Sequence, residues 1–221
     1  MTVAAVTSLR GIVGPWIIRG SPAARPSRRC PILGGSPITE AKVGQTMTLL
    51  EIAAAAVTRS DNAAGNLLLR ELGGPQRFTA FLRSLGDQAA RLDDNEPALG
   101  AFRPGDDRNT TTPAGLAADY RAVTLGAVLG TPERVQLIQW MREAKTGDSR
   151  IRAGLPSDWI TADKTGTGGN YGCVNDAAIT WPANGHAPLV IAIQACGNGE
   201  NGAADETLFP EVTRLVLDGL R

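Results

Sequence analysis

Three short polar groups in this chain carry the side chains that acyl-transfer chemistry draws on. Ser60-Asp61-Asn62 offers a hydroxyl beside a carboxamide, Glu96 a carboxylate in the loop 91–99, and Lys164-Thr165-Gly166 an ammonium beside a second hydroxyl. A site that attacks a carbonyl and then hydrolyses the acylated product needs a hydroxyl, a proton acceptor, donors for an oxyanion and a cation for an anionic substrate. Each group also has an ordinary structural use. Ser-Asp-Asn is a strong helix N-cap sequence, Lys-Thr-Gly is weakly specific, and a carboxylate before proline is usually a solvated loop residue. Their joint occurrence in this order points to chemistry.

Composition bounds what such a site could serve. The 221 residues are 43% apolar, enough for a sizeable core, and 22 basic side chains balance 22 acidic ones. Balanced charge gives no electrostatic reason to expect nucleic acid or an anionic membrane as partner, and no uncharged apolar stretch of about 18 residues is present to span a bilayer. A small soluble ligand acting on a monomer is expected. Cys30, Cys173 and Cys196 lack a CxxC spacing, and His186 is the one histidine, so neither a metal nor another cofactor is expected. The thiols are expected to be buried or unpaired.

The positioning elements begin near residue 36. Residues 1–35 hold Pro15, Pro22, Pro26 and Pro31 with interspersed arginines and no apolar period, and read as an irregular segment without an export signal. Thr48 can cap a helix over 49–57, and Ser60 a second with the stripe Ala63, Ala64, Leu67, Leu68 and Leu72. Gly74-Pro75 opens a third that Gly86 stops. After a long loop, Pro113 and Thr131-Pro132-Glu133 start two more. Strand-like runs follow at 159–167, 176–181 and 189–195, with an Asn184-Gly185 hairpin turn, and a last helix presents Val212, Leu215 and Val216. The expected class is α+β, a helical lobe beside an antiparallel sheet that the last helix covers. Strand pairing would bring Cys173 and Cys196 near one another, but without an export signal a bridge is not expected.

Around the three groups the surroundings also match a known pattern. Ser-Pro-Ile-Thr-Glu at 36–40, Met47-Thr48, Asn62-Ala63-Ala64 leading to Asn66-Leu67-Leu68, Gly73-Gly74-Pro75, Leu85-Gly86-Asp87, Pro104-Gly105-Asp106, Thr111-Thr112-Pro113 and Thr146-Gly147-Asp148 with Arg150 resemble class A serine β-lactamases of the Lys-Thr-Gly-Thr branch. The resemblance covers about residues 36–221, a β-lactamase/transpeptidase-like domain from a periplasmic or secreted family. It implies that Ser60 passes a proton to the lactam nitrogen, Asn62 binds the substrate amide and Lys164 supplies positive potential. Thr165, Gly166, Thr167 and Arg150 would bind the substrate carboxylate and oxyanion, and Glu96 would activate the water that releases the acyl-enzyme. Glu96 also separates this family from penicillin-binding peptidases, the alternative enzyme class.

The pattern has departures. No serine is followed three residues later by lysine, so the family's Ser-x-x-Lys nucleophile is absent, and its N-terminal helix and two strands are not recognised. The expectation is a truncated or frame-shifted chain, inactive as written, whose pocket is either a non-catalytic β-lactam-binding remnant or unstable. Gly35 stands where the family has an aromatic rim, and Gly100 where it has an asparagine beside the deacylating water. Asp94 and Asn109 stand where it pairs an arginine with an aspartate, so the Glu96 loop is expected to lose a clasp.

Overall fold

Helix starts follow capping chemistry. In the computed structural model, which describes residues 33–183, 185–197 and 199–220, Thr48 and Glu51 form a capping box at the head of helix α2, Leu49–Arg59. A five-residue helix, α1, Pro37–Ala41, precedes it and is not anticipated by any sequence signal noted above. Helices α3, Asn62–Leu72, α4, Pro75–Ser84, α5, Pro113–Thr124, and α6, Thr131–Glu143, complete the lobe, the last three with proline in the first turn. Expectations placed on residues 1–32 and on Asn184 lie outside the described residues.

One cap is shifted from expectation. Ser60 does not cap α3; it closes α2 with left-handed backbone, φ 53°, and Asp61 caps α3 through Ala64 N. The reason is valence. The Asp61 carboxylate also accepts from Ile38 N, Thr39 N and Thr39 Oγ1, four donors that no serine hydroxyl could satisfy together.

A one-turn helix α7, Ile151–Gly154, leads into three antiparallel strands in the order β1, Ile160–Thr167, β2, Val174–Trp181, and β3, Leu189–Ala195. Strand β2 begins two residues earlier than expected because Val174 and Asn175 pair with Thr167 and Gly166 on one side and Ala195 and Gln194 on the other. Period two divides the apolar residues between two cores. Ala162, Ala177 and Ile179 join the helical lobe, where Ile52, Val57, Leu68 and Met141 are buried. Val174, Ala178, Ile191 and Ile193 face the other way, onto Ile151 and Phe209.

Helix α8, Leu208–Gly219, covers that second face, with Val212 inward as expected but not Leu215 or Val216. Leu215 is 71% exposed and Val216 41%, whereas Phe209 and Thr213, four residues apart, are buried, and Val212 packs against the same cluster as Phe209. The inward stripe starts at Phe209, a turn earlier than the expected one, and Pro210 obscures it in the sequence.

The cysteine expectation is overturned. Cys173 and Cys196 form a disulfide. They flank Val174 and Ala195, which are cross-strand partners, so the register of β2 and β3 places the two sulfurs together.

Candidate active site

The site is assembled where the α2–α3 corner meets the end of β1. The left-handed turn at Ser60 aims its hydroxyl at Lys164, whose Nζ donates to Ser60 Oγ at 2.7 Å across 104 residues of sequence. The second Lys164 contact, to the Thr165 carbonyl at 2.7 Å, fixes the ammonium against its own strand. A buried ammonium is disfavoured, and desolvation pushes Lys164 down to about 8, opposed by the charges of Asp163, Asp176 and Glu96. The hydroxyl of Ser60 accepts from Lys164, which leaves its own proton available for donation.

Behind Lys164 lies a polar core that the sequence reading missed. Asp163 and Asp176 are fully buried neighbours, and burial raises both carboxyls, Asp176 to about 7. Arg152 pairs with Asp163, and the Ile151 amide donates to Asp176 at 3.1 Å. Gly147 is required here: the Asp163 carboxylate fills the space a Cβ would need. No signal in a single sequence distinguishes these aspartates from surface ones, since their partners lie 11 to 25 residues away.

Arg150 is buried, with every contact internal. Its Nη1 donates to the carbonyls of Gly166 and Asn175, and its Nη2 to Thr167 Oγ1 at 2.8 Å and Glu206 at 2.7 Å. Phe209 lies under the guanidinium at 5.5 Å. The guanidinium is paired with the Glu206 carboxylate and orients the Thr167 hydroxyl. Thr165 Oγ1 donates to Thr146 Oγ1 at 2.6 Å. Thr165 is buried and Thr167 exposed at the end of β1.

Glu96 shares a solvent-open pocket of about 410 Å³ with Ser60, Asn62, Asn66 and Leu99. Desolvation raises its carboxyl above the ordinary glutamate value, against the pull of Lys164. Its backbone is gripped on both sides by one side chain: Asn66 Oδ1 accepts from Glu96 N at 2.8 Å and Asn66 Nδ2 donates to Glu96 O at 2.9 Å. The expected loss of a clasp at the loop's base is also corrected. Asn109 Oδ1 accepts from the amides of Asp93 and Asp94, Asn109 Nδ2 donates to Asp94 Oδ2 at 2.9 Å, and Arg91 pairs with Asp93 at 2.7 Å. A carboxamide replaces the ion pair by bonding the backbone itself.

Asn62 lines the pocket, but its carboxamide is already engaged. Its Nδ2 donates to the Gly34 carbonyl at 2.8 Å and its amide to Gly35 O at 3.0 Å, so the segment ahead of α1 rests on it. A Cβ at Gly35 would lie 2.9 Å from that side-chain nitrogen, which explains why a larger residue does not fit there in this arrangement.

An antiparallel sheet lies between two helical layers, and Ser-Asp-Asn at a helix corner is hydrogen-bonded to Lys-Thr-Gly on a strand of that sheet. Residues 26–220 match the β-lactamase enzyme family, and the chain belongs to that family. Its relatives are class A enzymes. β-Lactamase AST-1 of Nocardia asteroides is 53% identical over 185 residues, covering 84% of this chain and 59% of that protein. The carbapenem-hydrolysing β-lactamase KPC of Klebsiella oxytoca is 45% identical, covering 84% of this chain and 63% of its own. The chain thus spans about 60% of the length of these curated relatives. Among solved structures, a halotolerant bacterial β-lactamase superposes with a TM-score of 0.94 at 37% identity, covering 100% of this chain and 83% of that one.

Proposed function

We propose that residues 36–221 form the substrate-binding and deacylation portion of a class A β-lactamase site, and that residues 1–221 alone do not turn β-lactams over. The observation that carries this is the Lys164 Nζ to Ser60 Oγ bond beside Glu96: a proton-bearing hydroxyl, an ammonium of lowered pKa and a desolvated carboxylate meet at one pocket. In this reading Ser60 delivers a proton to the leaving lactam nitrogen, drawing on Lys164. Thr165, Gly166 and Thr167 receive the substrate carboxylate and the developing oxyanion, with Arg150 holding the Thr167 hydroxyl. Asn62 meets the substrate amide once released from Gly34, and Glu96 activates the hydrolytic water. The acyl-accepting serine of a Ser-x-x-Lys motif has no counterpart in residues 1–221, and Ser60 is already engaged by Lys164.

The test is reconstruction. Replacing residues 1–35 with a family-like region carrying Ser-x-x-Lys should produce hydrolysis of a chromogenic cephalosporin, and Glu96→Gln in that chimera should accumulate a covalent acyl-enzyme visible by mass spectrometry. A folded chimera that neither acylates nor hydrolyses refutes the proposed site. A penicilloyl adduct on the unaltered chain refutes its inactivity.

A further inference from the structure

The turn joining β1 to β2 leans onto the far end of the Glu96 loop. Asn170, in that turn, lays its carboxamide against the backbone of Phe102: Oδ1 accepts from Phe102 N at 2.9 Å and Nδ2 donates to Phe102 O at 2.8 Å, a pair closed across 68 residues of sequence. Alongside, Gly169 N donates to Gly100 O at 2.9 Å, and the Phe102 and Tyr171 rings meet edge to face at 5.4 Å. A primary amide that both accepts from and donates to one residue imitates a neighbouring strand, and no other uncharged side chain of that length supplies both groups in one plane.

The turn is itself anchored. Gly168 N donates to Cys173 O at 2.8 Å, Tyr171 N to Glu200 O at 2.9 Å and Gly197 N to Tyr171 O at 3.1 Å, while the disulfide ties Cys173 to Cys196. Asn170 therefore pulls on Phe102 from a fixed base. On the other side of the short 3-10 turn Ala98–Gly100, Asn66 grips Glu96 in the same two-bond manner. The Asn109 clasp at Asp93 and Asp94 and the Asn66 grip at Glu96 hold the loop on the side before the 3-10 turn; Asn170 adds a side-chain anchor beyond it, at Phe102, so the chain is held on both sides of Glu96.

We propose that Asn170 is a positioning residue for Glu96, its two-bond grip on Phe102 fixing the loop over the end of β1 and with it the carboxylate relative to Ser60 and Lys164. The role assigned to the carboxylate rests on the functional reading above, and Asn170 itself touches no reacting atom.

Amide hydrogen exchange and the side-chain titration of Glu96, both followed by NMR on the full chain, test this without any turnover. In Asn170→Ala, exchange at Phe102 should accelerate about tenfold or more while α3 amides keep their rates. Glu96, released toward water, should titrate closer to an ordinary glutamate. Asn170→Asp should loosen the loop at neutral pH and tighten it again in acid, where the protonated carboxyl recovers a donor for Phe102 O. Unchanged Phe102 exchange in Asn170→Ala overturns the proposal, and so does faster exchange with the Glu96 titration unmoved, which would make the clamp structural only. Should Asn170→Ala loosen α3 as well, the acid rescue of Asn170→Asp decides: rescue supports the clamp and its absence refutes it. Failure of the chimera to hydrolyse β-lactams would count against the function and leave these readouts standing.

Discussion

The Ser60 corner and the Glu96 loop face one pocket but are held in place by opposite means. At the corner a single buried carboxylate, Asp61, gathers four donors from α1 and α3 and so fixes the handedness at Ser60. Along the loop, three carboxamides, Asn66, Asn109 and Asn170, each bond backbone N–H or C=O groups directly. A charge concentrates stabilisation at one point, where loss is global. Carboxamides distribute it over short stretches that can open separately.

Substitutions can break this contrast or sharpen it. The largest effect is expected for Asp61→Ala, which strands buried amides of α1 and α3 and should lower unfolding free energy by about 3 kcal/mol in urea titrations. A loss under about 1 kcal/mol would mean that water replaces the carboxylate and that the corner is not a single-point anchor. Asn66→Ala should cost about 2 kcal/mol locally, seen as rapid proteolysis near Glu96 with a smaller change in the urea midpoint. Equal shifts in both would make loop and lobe one cooperative unit.

Asp119 probes the root of the loop through pH. Burial and the facing Asp87 raise its carboxyl to about 7, with Arg83 pulling the other way. The folded state therefore holds a proton that the unfolded state has lost. The stability this gives is complete below about pH 4 and disappears as pH rises through about 7. Asp119→Asn should remove that decline, making the variant on the order of 1 kcal/mol more stable than the parent at pH 8 relative to pH 5. Parallel pH profiles would show that the two carboxyls do not confront each other in solution. The smallest effect is expected for Arg108→Ala. This guanidinium pairs with Asp106 at 2.6 Å but is half exposed, and the unfolding midpoint should not move. A clear drop would return ionic clasps to the account of the loop.

The same contrast governs what a reader of the sequence can see in advance. Ser60, Asn62, Lys164 and Thr165 sit in compact motifs whose neighbours in sequence are neighbours in space, and the helices and strands that carry them follow period and caps. The cap of α3 lies one residue beyond Ser60 because Asp61 is claimed by α1, more than twenty residues earlier, and a single sequence shows no trace of that pairing. Asn109 reads as the loss of an ion pair, since a sequence gives residue types and not which backbone amides a carboxamide can reach. Asn170, Asp163, Asp176 and Glu206 act across 11 to 68 residues, a separation at which one sequence holds no trace of pairing. The disulfide is legible in the strand register, and the geometry of neighbouring strand ends outweighs the compartment argument against it.

The sign of φ at Ser60 has a consequence for how the corner would drift if foldedness were all that counted. A glycine there would relieve a backbone preference of about 1 kcal/mol that any L-residue with a side chain resists. It would also free the preceding helix to end in its commonest way. What glycine cannot do is present an oxygen to Lys164. The serine is therefore a place where thermodynamic comfort and chemical use diverge: a library of variants screened only for resistance to heat should enrich Ser60→Gly, while one screened for restored hydrolysis should discard that substitution.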